Sequence, residues 1–238
     1  MSRSVEQRAG EISSFLGIEY SEVLNRIQEG FHHNHALVAK DFNDAGTDVN
    51  DPDSLLNWYR TTDAYIFELT AYHLEEGFNY SGMCEGIVNH CISKGYTKVL
   101  CLGDGIGDLS IALYEAGLKP TYHDLEGGKT ASYVTSINPG FDQVLTEGWP
   151  ADFGEENYDA VVALDFFEHL VNVEEWATAT YNALKIGGGF LAQNAFSIGD
   201  EEHGNSIPMH LSINNKYTDE WDSLMTAVGF NLEGWWIK

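Results

Sequence analysis

The chain has 238 residues, 43% of them hydrophobic, and a formal charge of −25. That length suits one α/β domain with an appendage or two small domains, and the apolar content is enough for a core. Twelve Lys plus Arg with no basic cluster argue against a nucleic-acid partner or an anionic membrane surface, and no apolar run reaches the roughly eighteen residues that would span a bilayer. Met1-Ser2-Arg3-Ser4-Val5-Glu6 lacks the apolar stretch of a signal peptide, so a cytoplasmic location is expected. The acidity is read first as solubility. A neutral or cationic acceptor is the sharper alternative.

Residues 1–95 carry helical signals and few strand signals. A helix is expected from Ser54 after Asp51-Pro52-Asp53, whose acids suit a helix start. Thr62 to His73 follows with Tyr65, Ile66, Leu69 and Tyr72 at helical spacing. Met83 to Ser93 repeats the pattern, and Gly95 reads as its stop. Cys84, Cys91 and Cys101 fit neither a disulfide framework nor a zinc ribbon and are read as small apolar side chains. From Lys98 the pattern changes. Strands are expected at Val99–Leu102, Pro120–Asp124, Phe141–Leu145, Tyr158–Leu164 and Gly189–Ala195, with a late strand or hairpin over Phe230–Ile237. Helices are expected at Leu109–Ala116, Val173–Leu184 and Thr218–Val228. Such alternation implies a mostly parallel sheet covered on both faces.

Gly103, Gly105 and Gly107 follow the first of these strands directly and precede a helix. Glycines there let a ligand approach the main chain where free N–H groups and the helix dipole face it. Asp124 ends the next strand, nineteen residues after Gly105, where a carboxylate can accept both hydroxyls of an adenosine ribose. A dinucleotide fingerprint would place glycine at 108, but that residue is Asp108. The spacing favours a phosphate-free adenosyl ligand, and Asp108 would repel a pyrophosphate.

Val99 to Ser110 resembles the first motif of class I S-adenosylmethionine-dependent methyltransferases. The resemblance continues through Asp124, the run Tyr158 to Leu170, Leu184-Lys185-Ile186-Gly187-Gly188-Gly189-Phe190, and Tyr217 to Phe230. It spans roughly 140 residues, about the size of a single domain. It implies a doubly wound, mostly parallel, seven-stranded Rossmann-like sheet (residues 96–238) that binds S-adenosylmethionine. Residues 1–95 would form an N-terminal helical cap and substrate region. Residue by residue, it implies Gly103, Gly105 and Gly107 against the methionine part and Asp124 on the ribose. Leu125 would border the adenine, and Asp165 and Phe166 the methionine. Trp149, in Thr146-Glu147-Gly148-Trp149, would either stack on the adenine or pack in the core. The family usually carries an acid two residues before the first glycine, where this chain has Cys101. Either Asp104 or Asp165 would then take over the contact to the amino group, or cofactor affinity is reduced.

Methyl transfer is an in-line displacement in which the protein mainly positions the reactants. An O–H or N–H acceptor also benefits from a general base, a role suited to histidine. His169, after the fourth strand, and His210, in the long stretch from Phe196 to Tyr217, are the candidates. That stretch also holds Asp200, Glu201, Glu202 and His203, of which His203 is read as a solvated loop residue. Asp165, Glu168, His169 and His210 together resemble the site of metal-using O-methyltransferases of the ubiquinone-biosynthesis and small-RNA 2′-O-methylating groups. A divalent ion is kept as the minor alternative. Phe31-His32-His33-Asn34-His35 is read as solvated or capping, because adjacent helical histidines diverge. The aromatic stripe Trp58, Tyr59, Tyr65, Phe67, Tyr72 is read as core, with Tyr59 or Arg60 as a lesser candidate for the methionine carboxylate. A small-molecule acceptor is expected, with O- or N-methylation. Aminopropyl transfer from the same pocket and a catalytically silent binding protein remain as alternatives, and a nicotinamide dehydrogenase is disfavoured by Asp108.

Overall fold

The structure, a computed structural model, describes residues 3–137, 140–196 and 209–238. Six helices come first: α1 (Val5–Leu16), α2 (Tyr20–Gln28), α3 (Gly30–Asp44), α4 (Pro52–Thr61), α5 (Ala64–Leu74) and α6 (Tyr80–Lys94). Local chemistry starts several of them. Ser4 and Gln7 form a reciprocal capping box at α1. Asp51 accepts from the Asp53 N–H at α4, with Pro52 in the first turn. Gly95 ends α6 in the left-handed conformation, as expected.

Then β1 (Lys98–Leu102), α7 (Asp108–Glu115), β2 (Lys119–Leu125), α8 (Lys129–Ile137), β3 (Asp142–Thr146), β4 (Tyr158–Leu164), α9 (Val173–Ala183), β5 (Leu184–Gln193), α10 (Tyr217–Val228), β6 (Asn231–Glu233) and β7 (Trp235–Ile237) follow. The sheet order is β3-β2-β1-β4-β5-β7-β6. β7 runs antiparallel to β5 and β6, and the other pairings are parallel. The expected doubly wound, seven-stranded sheet is therefore present. The late segment is a hairpin turning at Gly234.

The strands at the centre explain why their sequence is an unbroken apolar run. Leu100, Leu102, Val161 and Ala163 point to one face, against Trp176, Phe190 and Phe230. Val99, Cys101, Ala160 and Val162 point to the other, against Cys84, Ile87, Cys91 and Leu113. Both faces are covered, so alternation is lost. The three cysteines are free and buried there.

Two boundaries differ from expectation. β5 begins at Leu184, five residues before Gly189, because Gly187, Gly188 and Gly189 continue the strand across a register shift opposite Tyr158 and Ala160. A Cβ at Gly188 would lie 2.8 Å from the Lys185 carbonyl. α8 was not anticipated, since its Thr- and Ser-rich sequence has weak helix propensity. It is held by burial of Ala131, Tyr133 and Val134 against α1, α2 and α5.

The first 95 residues share their core with the sheet. Ala9, Ile12, Val23, Ile27, Ile66 and Phe67 pack with Tyr122 and Phe141. A buried ion cluster joins the same parts. Asp108 accepts from Arg3 and Arg8 at 2.5 Å each and meets His73 Nδ1 at 2.6 Å. Asp108 was read as a repellent for pyrophosphate, but its carboxylate is instead neutralised by these partners. No helix of the described residues is long and apolar enough to cross a membrane.

Candidate active site

The sheet order reverses between β1 and β4, and a crevice opens at such a switch point beyond the strands' carboxyl ends. Here it becomes a cavity of about 910 Å³. The ends of β1, β2 and β4 form its floor. Helices α3, α4 and α5 roof it.

The glycine loop shapes one wall. Gly103, Gly105 and Gly107 all have positive φ, at 61°, 50° and 76°. A Cβ at Gly103 would lie 2.3 Å from Phe166, and one at Gly105 would lie 2.6 Å from Leu69. Only glycine fits both the conformation and the space. Gly107 stands off the cavity and serves α7, where its φ and the close approach of Val134 account for it.

Asp104, Asp124, Leu125, Trp149, Asp165, Phe166, His169 and His210 all line the cavity, as do Gly103 and Gly105. Their carboxylates are not equivalent. Asp104 accepts from the Leu109 and Ser110 N–H groups, capping α7 from inside the loop. Burial pushes its pKa up to about 7 against those bonds. Asp124 accepts from the Leu125 N–H, the Tyr122 hydroxyl and the Thr130 hydroxyl, which fix its plane at the end of β2. Asp165 has φ 48°, a strained value for a residue with a side chain, at the end of β4. Burial raises its pKa to about 6. Of the two acids proposed to replace the one missing at Cys101, Asp104 is thus committed to its helix, whereas Asp165 faces the cavity. Cys101 is itself buried on the wall, and burial raises its thiol pKa well above normal.

Trp149 is 48% exposed at the cavity rim, so it is no core residue. Arg60 points elsewhere. Its guanidinium donates to the Glu126 and Glu147 carbonyls, tying α4 to the loops after β2 and β3. Of the aromatic stripe, Trp58 and Phe67 are core, but Tyr59, Tyr65 and Tyr72 line the cavity.

His169 and His210 meet, with ring centroids 4.7 Å apart. His169 is the last residue of a short 3-10 turn, Phe167–His169, after β4. Its Nδ1 lies 2.9 Å from the Tyr59 hydroxyl and 3.2 Å from the Met209 carbonyl. Burial, reinforced by His210, lowers its pKa to about 3, so the ring is neutral at physiological pH. Glu168 is fully buried. One carboxylate oxygen accepts from the Ala195 N–H. The other has no hydrogen-bond partner among the described residues. Burial, then the nearby Asp165, raises its pKa to about 8. Ligand atoms of Glu168, His169 and His210 lie within 4.8 Å of one another. Asp200, Glu201, Glu202 and His203 lie outside the described residues.

Two further groups escaped the sequence reading. His123 is buried behind the glycine loop and held neutral, its pKa lowered to about 3 by burial. Its Nδ1 therefore accepts from the Gly103 N–H at 3.3 Å, and its Nε2 donates to the Thr146 hydroxyl at 3.1 Å. This stitches the loop to β3, and its only signal was a polar residue inside a buried strand. His35, from the run read as solvated, lines the cavity with Nδ1 2.6 Å from buried Glu68. His32 also reaches the cavity, whereas His33 pairs at the surface with Glu29. The divergence of neighbouring histidines was anticipated, but not that one side of the helix faces a site.

No protein-family profile and no curated protein matches the chain. Solved structures do. A candidate O-methyltransferase from Nostoc punctiforme is 12% identical, with a TM-score of 0.54, over 83% of this chain and 66% of its own. A S-adenosylmethionine-dependent methyltransferase from Archaeoglobus fulgidus is 16% identical, with a TM-score of 0.43, over 66% of this chain and 75% of its own. The fold is that of the class I S-adenosylmethionine-dependent methyltransferases.

Proposed function

We propose that this protein is an S-adenosylmethionine-dependent methyltransferase acting on a small molecule in the cytoplasm, by O- or N-methylation. The observation that carries the reading is the convergence of the glycine loop, Asp124 and two imidazoles on one cavity at the switch point. The residues fit the donor. Gly103 and Gly105 line the cavity with bare backbone, where a side chain would strike Phe166 or Leu69, and a fixed carboxylate lies at the end of β2. When bound, S-adenosylmethionine supplies a methyl group on a sulfonium leaving group.

In this reading Asp124 holds the ribose, and Leu125 and Trp149 border the adenine. Gly103, Gly105, Asp165 and Phe166 border the methionine. Residues 1–95 serve as the cap and carry the acceptor's walls, and residues 96–238 hold the donor. Tyr59 and the Met209 carbonyl fix the ring plane of His169. The neutral imidazole of His169, with His210 beside it, takes the acceptor's proton or holds its hydrogen bond. Positioning in a closed cavity supplies the larger share of the acceleration.

Isothermal titration with S-adenosylmethionine, its demethylated product and its decarboxylated analogue tests the reading. Tight binding of the first two supports it. Preference for the decarboxylated form would replace it with aminopropyl transfer, and no binding of any would leave a silent fold. A second reading is favoured by Glu168: its buried, unpartnered oxygen beside His169 and His210 suits a divalent ion, which would polarise an acceptor hydroxyl. Melting curves with Mg²⁺ or Mn²⁺ against a chelator separate the two. A metal-induced rise that Glu168→Gln removes would favour the ion.

A further inference from the structure

The cavity is large enough for an acceptor beside the donor, and its charge is one-sided. Glu68, Asp104, Asp124 and Asp165 line it, no Lys or Arg does, and His35, whose pKa the Glu68 hydrogen bond raises, is spent on that one carboxylate. All twelve Lys and Arg of the chain are among the described residues, and none of them reaches the cavity. The nearest to the site are committed elsewhere. Arg3 and Arg8 are locked on Asp108, and Arg60 on two carbonyls. An anionic acceptor would be desolvated against like charges with no counter-ion to meet it. The donor, with a sulfonium and an ammonium against one carboxylate, suits the same field.

The roof has the complementary chemistry. α3 and α5 lie side by side, and their facing residues reach the cavity. Phe31, Tyr72 and Phe78 form a cluster with ring centroids 4.6–5.4 Å apart. Tyr59 and Tyr65 stack at 5.6 Å. Glu68 sits between Tyr65 and Tyr72 on α5, buried and aligned by His35. Aromatic faces beside a fixed carboxylate attract an organic cation and have little to offer an anion.

Resting on the methyltransferase reading, we propose that the acceptor is a small aromatic molecule bearing a basic amine, admitted as a cation, with Glu68 and the roof aromatics as its recognition groups. Carboxylate- and phosphate-bearing acceptors are excluded by the same wall.

The test uses full-length protein, treated with chelator and saturated with the demethylated cofactor. Isothermal titration compares matched probes: 2-phenylethylamine, 2-phenylethanol and 3-phenylpropionate, then dopamine, 4-ethylcatechol and 3,4-dihydroxyphenylpropionate. The amines are expected to bind about tenfold or more tighter than the acids, with the alcohols between. Glu68→Gln, and separately Tyr72→Leu, should narrow the amine's advantage while cofactor affinity stays unchanged. An acid binding as tightly as its amine overturns the proposal. So does binding of none of the six, or an amine preference untouched by both variants. Cofactor binding is measured first. If the demethylated cofactor itself does not bind, the methyltransferase reading has failed; if it binds and the acids win, only the acceptor assignment has.

Discussion

The floor and the roof of the cavity are built on opposite principles. The floor is made of backbone and of carboxylates fixed by nearby donors: glycines in the left-handed region, Asp104 on the α7 amides, Asp124 held by one amide and two hydroxyls. The roof is made of side chains from three helices, whose rings touch one another and whose polar contacts run from side chain to side chain. A floor of this kind recognises a ligand that never changes, whereas a roof of this kind can be altered without refolding the sheet. Cofactor and acceptor specificity should therefore respond to different substitutions.

Gly103→Val should break the floor outright. It forces a branched side chain into φ 61° and into Phe166, and calorimetry should find no binding of the demethylated cofactor. If binding persists, the donor does not lie on this loop. Asp108→Ala attacks the seam between the two regions. It strands the buried Arg8 guanidinium and leaves Arg3 with Glu11 alone as its acid, so a loss of about 3–5 kcal/mol in chemical denaturation is expected. The seam also has a pH signature. Burial alone would raise the Asp108 pKa, but Arg8, His73 and Arg3 outweigh it and hold the group far below the usual carboxylate range. Its stabilisation is present above an unfolded-state value of about 4 and is lost as pH falls below it. Wild type should lose stability there more steeply than the Asp108→Ala variant.

Where floor and roof meet, His169→Ala should lower kcat by roughly 10²- to 10⁴-fold with cofactor affinity kept. An equal fall in cofactor affinity would assign His169 to the floor instead. Glu168 behaves in the opposite sense to Asp108. Its folded pKa, about 8, lies above the ordinary glutamate value of about 4.5. The fold is favoured by its protonated form, and stability falls as pH rises from about 4.5 through about 8. Glu168→Gln keeps the acceptor for the Ala195 N–H and should flatten the alkaline fall in melting temperature. The smallest effect is expected of Tyr59→Phe, about 1 kcal/mol in stability for one hydrogen bond, with a measurable change in kcat and none in cofactor binding.

The same contrast governs what the sequence could reveal. The floor was legible because a tight strand-to-helix turn and a strand-end acid must be written locally, at 103–107 and 124. Asp108 was misjudged because its meaning depends on Arg3, Arg8 and His73, all at least 35 residues away. The roof was illegible for the same reason. His35 gains a role only from Glu68, and Tyr59 only from His169, 110 residues on. Arg60 looked like a ligand for a carboxylate until the loops after β2 and β3 supplied its carbonyls. Trp149 could be settled only by its exposure.

The ion cluster also constrains the order in which the molecule can be assembled. Arg3 and Arg8 find their partner about a hundred residues later in the chain, at Asp108. During synthesis the first helix can complete its docking only after β1 and the turn into α7 have left the ribosome. Until then α1 can pack on α2 and Arg3 can pair with Glu11, but Arg8 lacks its acid. The seam between the helical segment and the sheet therefore closes late, after both have been made.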